Sequence, residues 1–234
     1  GRAEPTEGVV GFEAEAMVLP TLRGAHVPRF VAAGDLSRTP YLVTEWIEGC
    51  TFEPLVQRAP LPPDEVVRVG AALADAVECL HQQDVIHLDI KPGNAILRPD
   101  GRVVLIDFGL SHHTRLPDLL AEEMRRAIGT AQYISPEQVL GVRSDPRSDI
   151  FSLGVVLYEL ATGELPFGSP RSITAMRDRL WLDPRPPRAS IKDFPPWLQE
   201  VILRCLAVRP EQRYPTAAQL AFDLRNPQGV QITA

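Results

Sequence analysis

Between Asp64 and Gln83 the apolar residues Val66, Val69, Leu73, Ala76, Val77 and Leu80 recur at steps of three and four. That period lays them along one face of a helix, and Asp64 supplies a side chain suited to its N-cap. The same spacing predicts helices over residues 12–22, 149–160, 172–180, 197–206 and 216–224, with Pro20 awkwardly placed near the end of the first. Short apolar runs predict strands at 29–33 and 41–47, joined through a loop that holds Gly34, Asp35, Ser37 and Pro40. Two more strands, 95–97 and 103–106, flank Arg98-Pro-Asp-Gly, a tight-turn sequence. The strands therefore come early and the second half is helical. This order predicts an α+β chain with a small strand-bearing part over 1–48 and a larger, mostly helical part over 49–234.

With 234 residues the chain is long enough to bury a substantial core. Its net charge of −6 argues against a nucleic-acid-binding surface, which needs clustered positive charge. The most apolar stretch, 151–161, is too short for a membrane span and carries Glu159. Cys50, Cys79 and Cys205 are odd in number, far apart and free of any Cys-x-x-Cys pattern. They are expected to be core thiols in a reducing, cytoplasmic setting, and Trp181 and Trp197 are expected to be core aromatics. Among 24 basic residues the lysines are Lys91 and Lys192, so Lys91 stands out against a strong arginine preference. The chain opens on Gly-Arg-Ala-Glu-Pro-Thr-Glu, with neither Met nor an apolar leader, and reads as a processed chain or a fragment.

The densest set of chemistry-bearing residues is Val85-Ile-His-Leu-Asp-Ile-Lys-Pro-Gly-Asn, which places His87, Asp89, Lys91 and Asn94 between the long helix and a strand. Asp107-Phe-Gly follows at the end of an apolar strand, and Gly129-Thr-Ala-Gln-Tyr-Ile-Ser-Pro-Glu lies beyond it. Alone, Asp-Phe-Gly is a turn and His87 a core histidine. In this order and spacing, the three segments resemble the protein kinase family, and its bacterial (Hanks-type) Ser/Thr branch in particular.

The resemblance covers nearly the whole chain. It implies a protein-kinase-like fold and transfer of the terminal phosphoryl group of ATP, with Mg²⁺, to a Ser or Thr hydroxyl of a protein substrate. Such chemistry rests on positioning and charge neutralisation more than on covalent help. By resemblance Asp89 is the base that orients the hydroxyl, Lys91 reaches the transferring phosphate, and Asn94 and Asp107 are Mg²⁺ ligands. Thr130 is the threonine that accompanies Ser/Thr specificity. Glu15 matches a conserved-type helix glutamate of the ATP site, Thr44 the gatekeeper, and Glu45 and Ile47 the hinge whose backbone pairs with adenine. His87 is then scaffold, Asp149 an anchor for the catalytic-loop backbone, and Glu137 with Arg213 a structural ion pair. The neighbouring His112 and His113 are expected to diverge on a solvated loop.

The match has gaps. Gly8-Val-Val-Gly does not form the family's glycine-rich loop, and no lysine precedes Lys91 to pair with Glu15. Truncation upstream of Gly1 accounts for both, and implies weak ATP binding and little transfer by residues 1–234 alone. Leu88 stands where regulated kinases carry an arginine that grips a phosphorylated loop. No Ser or Thr occurs between Thr114 and Thr130, a stretch that holds Glu122, Glu123, Arg125 and Arg126 instead. Activity is therefore expected without loop phosphorylation, with ion pairs or a partner ordering the loop. The rival reading is a pseudokinase or scaffold: the absent lysine favours it, and the intact set Asp89, Lys91, Asn94 and Asp107 opposes it. Transfer to a small molecule is disfavoured by residues 129–137, which resemble a platform for peptide substrates.

Overall fold

The computed structural model describes residues 5–34, 40–123, 129–170 and 173–232. Helix α1 (Pro5–Val18) passes into a 3₁₀ turn, Leu19–Thr21, with Pro20 in the first turn of the new element. A fixed φ and a missing N–H suit that place, so the proline that disturbs a helix interior starts a helix here. Strands β1 (Phe30–Ala33) and β2 (Leu42–Thr44) pair antiparallel with a bulge between Phe30 and Ala32. The expected turn residues Asp35 and Ser37 lie outside the described residues.

After β3 (Cys50–Thr51) and the short α2 (Glu53–Gln57) comes α3 (Pro63–His81). Its N-cap is Pro62, not Asp64. Pro63 at the first helical position starts the helix early, and Asp64 and Glu65 fall in the first turn, where the helix dipole favours acids. The predicted face of α3 is fully buried: Val66, Val69, Leu73, Ala76, Val77 and Leu80 are all at 0% exposure.

Strand β4 (Val85–Ile86) precedes β5 (Ala95–Leu97) and β6 (Val103–Leu105), and β7 (His112–His113) follows. The sheet order is β3-β5-β6, all antiparallel, while β7 pairs back onto β4. His112 and His113 thus form a short ladder, contrary to the expected solvated loop, because their backbone groups find Val85 and Ile86.

Three short or medium helices, α4 (Leu119–Glu123), α5 (Pro136–Val139) and α6 (Arg147–Thr162), cross the middle of the large part. Helices α7 (Ile173–Arg177), α8 (Pro196–Cys205) and α9 (Ala217–Arg225) complete it. Helix α3 packs against α6, α9 and β6, and α6 against α8, around one continuous apolar core. Burying each large apolar side chain in such a core contributes about 1.5–3 kcal/mol.

Three of the expected core residues, Trp181, Cys50 and the half-buried Cys79, are outside it. Trp181 is 80% exposed because Leu180 takes the inward position, against the cluster of Ile134, Val139 and Met176. Cys50 is exposed on β3, whereas Cys205 is buried between α6 and α8, and all three thiols are free. Trp197 is partly buried and packs on the core.

Helices α6 and α8 pack tightly at Gly154. A Cβ there would lie 2.5 Å from the Cβ of Cys205 and 3.4 Å from its carbonyl carbon, atoms that move only with the backbone. Gly154→Ala gains about 0.5–1 kcal/mol of helix propensity. The clash outweighs that gain, and a net loss of about 1–2 kcal/mol is expected, read as a lower urea midpoint with unchanged slope.

Candidate active site

The loop between β4 and β5 holds its shape through bonds to side chains from distant elements. Leu88 is buried and has φ 63°, a left-handed conformation costly for a residue with a Cβ. Its N–H donates to Asp149 Oδ1 at 2.8 Å, and its carbonyl accepts from Gln138 Nε2 at 2.9 Å, so both of its backbone polar groups are fixed. Asp149, fully buried in the first turn of α6, also accepts the His87 N–H at 2.8 Å and stands 2.9 Å from His81 Nε2. Burial alone would push the Asp149 carboxyl up. The bond and charge of His81, with His87, more than offset that and hold it below the usual range. His87 Nε2 lies 3.1 Å from the Ile106 carbonyl, just before Asp107, which is a scaffold position.

Three side chains converge on the Asp89 carboxylate. Lys91 Nζ donates to Asp89 Oδ2 at 2.5 Å and to Thr130 Oγ1 at 3.0 Å. Asp89 Oδ1 accepts the Thr130 hydroxyl at 2.7 Å and the Thr130 N–H at 3.2 Å. Asn94 Nδ2 donates to the Asp89 carbonyl at 3.0 Å and to Oδ2 at 3.1 Å. Asp89 is buried, while Lys91 is partly open to a neighbouring cleft of about 530 Å³ that Glu53, Thr130, Gln132, Tyr133 and Glu159 also line. Within it the Tyr133 hydroxyl donates to Glu159 at 2.7 Å, and burial raises both groups above their usual values.

Asp107 follows β6, and the Ile106 N–H donates to the Asn94 carbonyl at 3.0 Å, which sets the Asp107 backbone beside Asn94. Asp107 is exposed, has φ 66°, and takes a long 3.4 Å bond from the Gly109 N–H. With Asn94 Nδ2 committed to Asp89, the amide oxygen of Asn94 and the carboxylate of Asp107 are left as oxygen donors of the kind a hard cation takes, a chemistry that fits Mg²⁺. Glu15 on α1 accepts the Phe108 N–H at 3.3 Å. Burial raises its pKa, the Phe108 bond opposes that, and the Asp107 charge adds to it. Thr44 is exposed at the end of β2, Glu45 donates its N–H to the Arg29 carbonyl at 2.9 Å, and Ile47 is buried.

Sequence reasoning missed several supports of this site. Gln138 completes a capping box with Ser135 at the start of α5, a Ser-x-x-Gln signature that was there to be read. Arg179 is buried, pushed down to about 10 by burial, and donates to the carbonyls of Ala131 and Ile134. Its partners lie more than forty residues away in sequence, and no local pattern points to them. Arg125 and Arg126 lie outside the described residues, as do the side chains of Glu122 and Glu123.

A loop whose Asp89, Lys91 and Asn94 converge with Thr130 above a deep apolar core, with an Asp-Phe-Gly turn beside it, is the arrangement that the sequence resemblance implies. The protein kinase domain family matches residues 6–223, and the chain belongs to it. It is 37% identical over 186 residues to the serine/threonine-protein kinase PknB of Mycolicibacterium smegmatis, covering 79% of this chain and 30% of that protein. It is 37% identical over 216 residues to PknL of Mycobacterium tuberculosis, covering 91% of this chain and 53% of that kinase. The probable serine/threonine-protein kinase CPE1738 of Clostridium perfringens is 31% identical over 214 residues, 91% of this chain and 31% of the relative. The chain thus spans about 30% of the length of the PknB relatives it matches. The scaffold alternative is not favoured by this company.

Proposed function

We propose that the protein transfers the γ-phosphoryl group of ATP to Ser or Thr hydroxyls of protein substrates, with Asp89 as base. The observation that carries this is the convergence of Lys91, Asn94 and Thr130 on the Asp89 carboxylate. In that reading the substrate oxygen bonds to the γ-phosphorus as the bond to the ADP oxygen breaks, and the hydroxyl proton passes to Asp89. Lys91, a point charge on a flexible stem, moves from Asp89 to balance charge on the transferring group. Asn94 and Asp107 would hold Mg²⁺, which would supply neutralisation of the phosphate charge. The Glu45 carbonyl and Ile47 backbone face adenine behind Thr44, and Glu15 steadies the Asp107 turn through Phe108. The peptide enters along the cleft beside Lys91 and Thr130.

The division at 48/49 is supported by the separate β1-β2 sheet, which shares no ladder with β3-β5-β6. Three free thiols and the need for ATP support a cytoplasmic location. No described helix is long and apolar enough to cross a membrane.

Labelled Mg-ATP and a generic Ser/Thr-rich protein provide the test, with the protein that contains this chain. Label is expected in phosphoserine and phosphothreonine and absent from phosphotyrosine, and chelation of Mg²⁺ should abolish it. No transfer by folded protein overturns the proposal.

A further inference from the structure

We infer that Arg143 is a positioning residue whose guanidinium clamps the segment after Asp107-Phe-Gly and, through it, sets α1 against the active site. Arg143 lies between α5 and α6 with a side chain only 10% exposed. Its Nε donates to both Asp118 oxygens, at 3.1 and 2.9 Å, and its Nη2 donates to the Leu110 carbonyl at 3.0 Å and, more weakly, to that of Ser111 at 3.5 Å. Charge-assisted bonds from a half-fixed fork are the strong kind, and this fork joins both ends of the stretch 110–118.

The clamp extends further. Asp118 Oδ1 also accepts the Ala121 N–H at 3.2 Å, which starts α4. Helix α4 then seats Leu120, 1% exposed, against Val10 and Ala14 of α1, with Leu110 and Leu119 around it. Helix α1 in turn meets the Asp107 turn at two points. Glu15 accepts the Phe108 N–H, and Gly11 lies so close to Gly109 that an added Cβ would stand 3.2 Å from the Gly109 oxygen. One buried cation from the large part therefore fixes a segment, the segment fixes a helix, and the helix fixes the backbone that carries Asp107.

This stretch needs such a device. Within it the Ser111 hydroxyl is buried and bonded to the Phe108 carbonyl at 2.7 Å, no Ser or Thr occurs between Thr114 and Thr130, and the buried Leu88 brings no cation to the segment. Arg143 supplies permanently the charge that orders the segment.

The inference rests on the kinase reading, so its test joins a catalytic readout to one that needs no catalysis. Arg143→Ala and Arg143→Lys would be compared with wild type in the protein that contains this chain. For Arg143→Ala, kcat is expected to fall at least about tenfold with KM for ATP within about twofold. The amides of Ser111, Thr114 and Leu116, hydrogen-bonded to the carbonyls of Phe108, Asp84 and His113, should exchange faster while those of α6 do not. Arg143→Lys keeps the charge without the fork and should recover part of both effects. Unchanged exchange, or faster exchange with wild-type or higher kcat, overturns the clamp. If wild type transfers no phosphate the kinase reading falls, and the exchange comparison still decides whether Arg143 orders the segment.

Discussion

Asp89→Asn is expected to lower kcat for phosphate transfer by about 10²–10⁴ while leaving KM for ATP nearly unchanged. The carboxylate only accepts, and four bonds are donated to it: Thr130 hydroxyl and N–H on Oδ1, Lys91 and Asn94 on Oδ2. An amide in its place must turn an NH₂ toward one of these pairs in either orientation. The base is lost, and the loop loses two of its ties. Unmade buried bonds of this kind cost about 1–3 kcal/mol, so a melting curve must accompany the kinetics to show the variant folded. Thr130→Ala separates the two contributions, because it removes the 2.7 Å bond and leaves the carboxylate, and it should reduce kcat by a smaller factor. A folded Asp89→Asn enzyme within about threefold of wild-type kcat would remove Asp89 from the role of base.

The helices of the large part were legible because their apolar period is long and strong. The face of α3 and the strands β5 and β6 across Arg98-Pro-Asp-Gly appear where the pattern put them, within a residue or two. The cluster around Asp89 was legible for a different reason: Asp89, Lys91 and Asn94 are five residues apart at most, so their spacing survives in the sequence. What failed was whatever depended on long-range partners. His112 and His113 became a strand only because β4, more than twenty-five residues earlier, offers its edge. Trp181 is outside because Leu180 filled the inward place first. Arg143 and Arg179 carry no local signature at all, since a buried arginine is recognised by carbonyls and carboxylates that only the fold assembles. The positive φ of Leu88 and Asp107 belongs to the same class, because strain at those residues is sustained by Asp149, Gln138 and Glu15, each from another element.

Arg213→Ala is expected to destabilise the fold by about 3–5 kcal/mol, a large share of the roughly 5–15 kcal/mol available to a domain. The arginine is fully buried, and its donors are spent on five contacts: both Glu137 oxygens at 2.6 and 2.7 Å, and the carbonyls of Arg147, Val208 and Ala207 at 2.8, 3.1 and 2.8 Å. Its guanidinium also lies 4.9 Å from the centre of the Phe151 ring. Truncation leaves the buried Glu137 charge with Ser148 Oγ, at 2.7 Å, as its remaining donor, and takes a donor from three carbonyls. Lysine does not repair this, because three donors on a single nitrogen cannot span a carboxylate and three carbonyls set around a planar fork. Glu137→Ala should cost a similar amount by stranding the cation instead. The double variant should then be less destabilised than the sum of the two, since each single change already contains the penalty of an uncompensated charge. Urea unfolding of the four proteins gives the coupling directly, and strict additivity would mean that the pair at the junction of α5, α6 and the turn before α9 is not the unit that joins them.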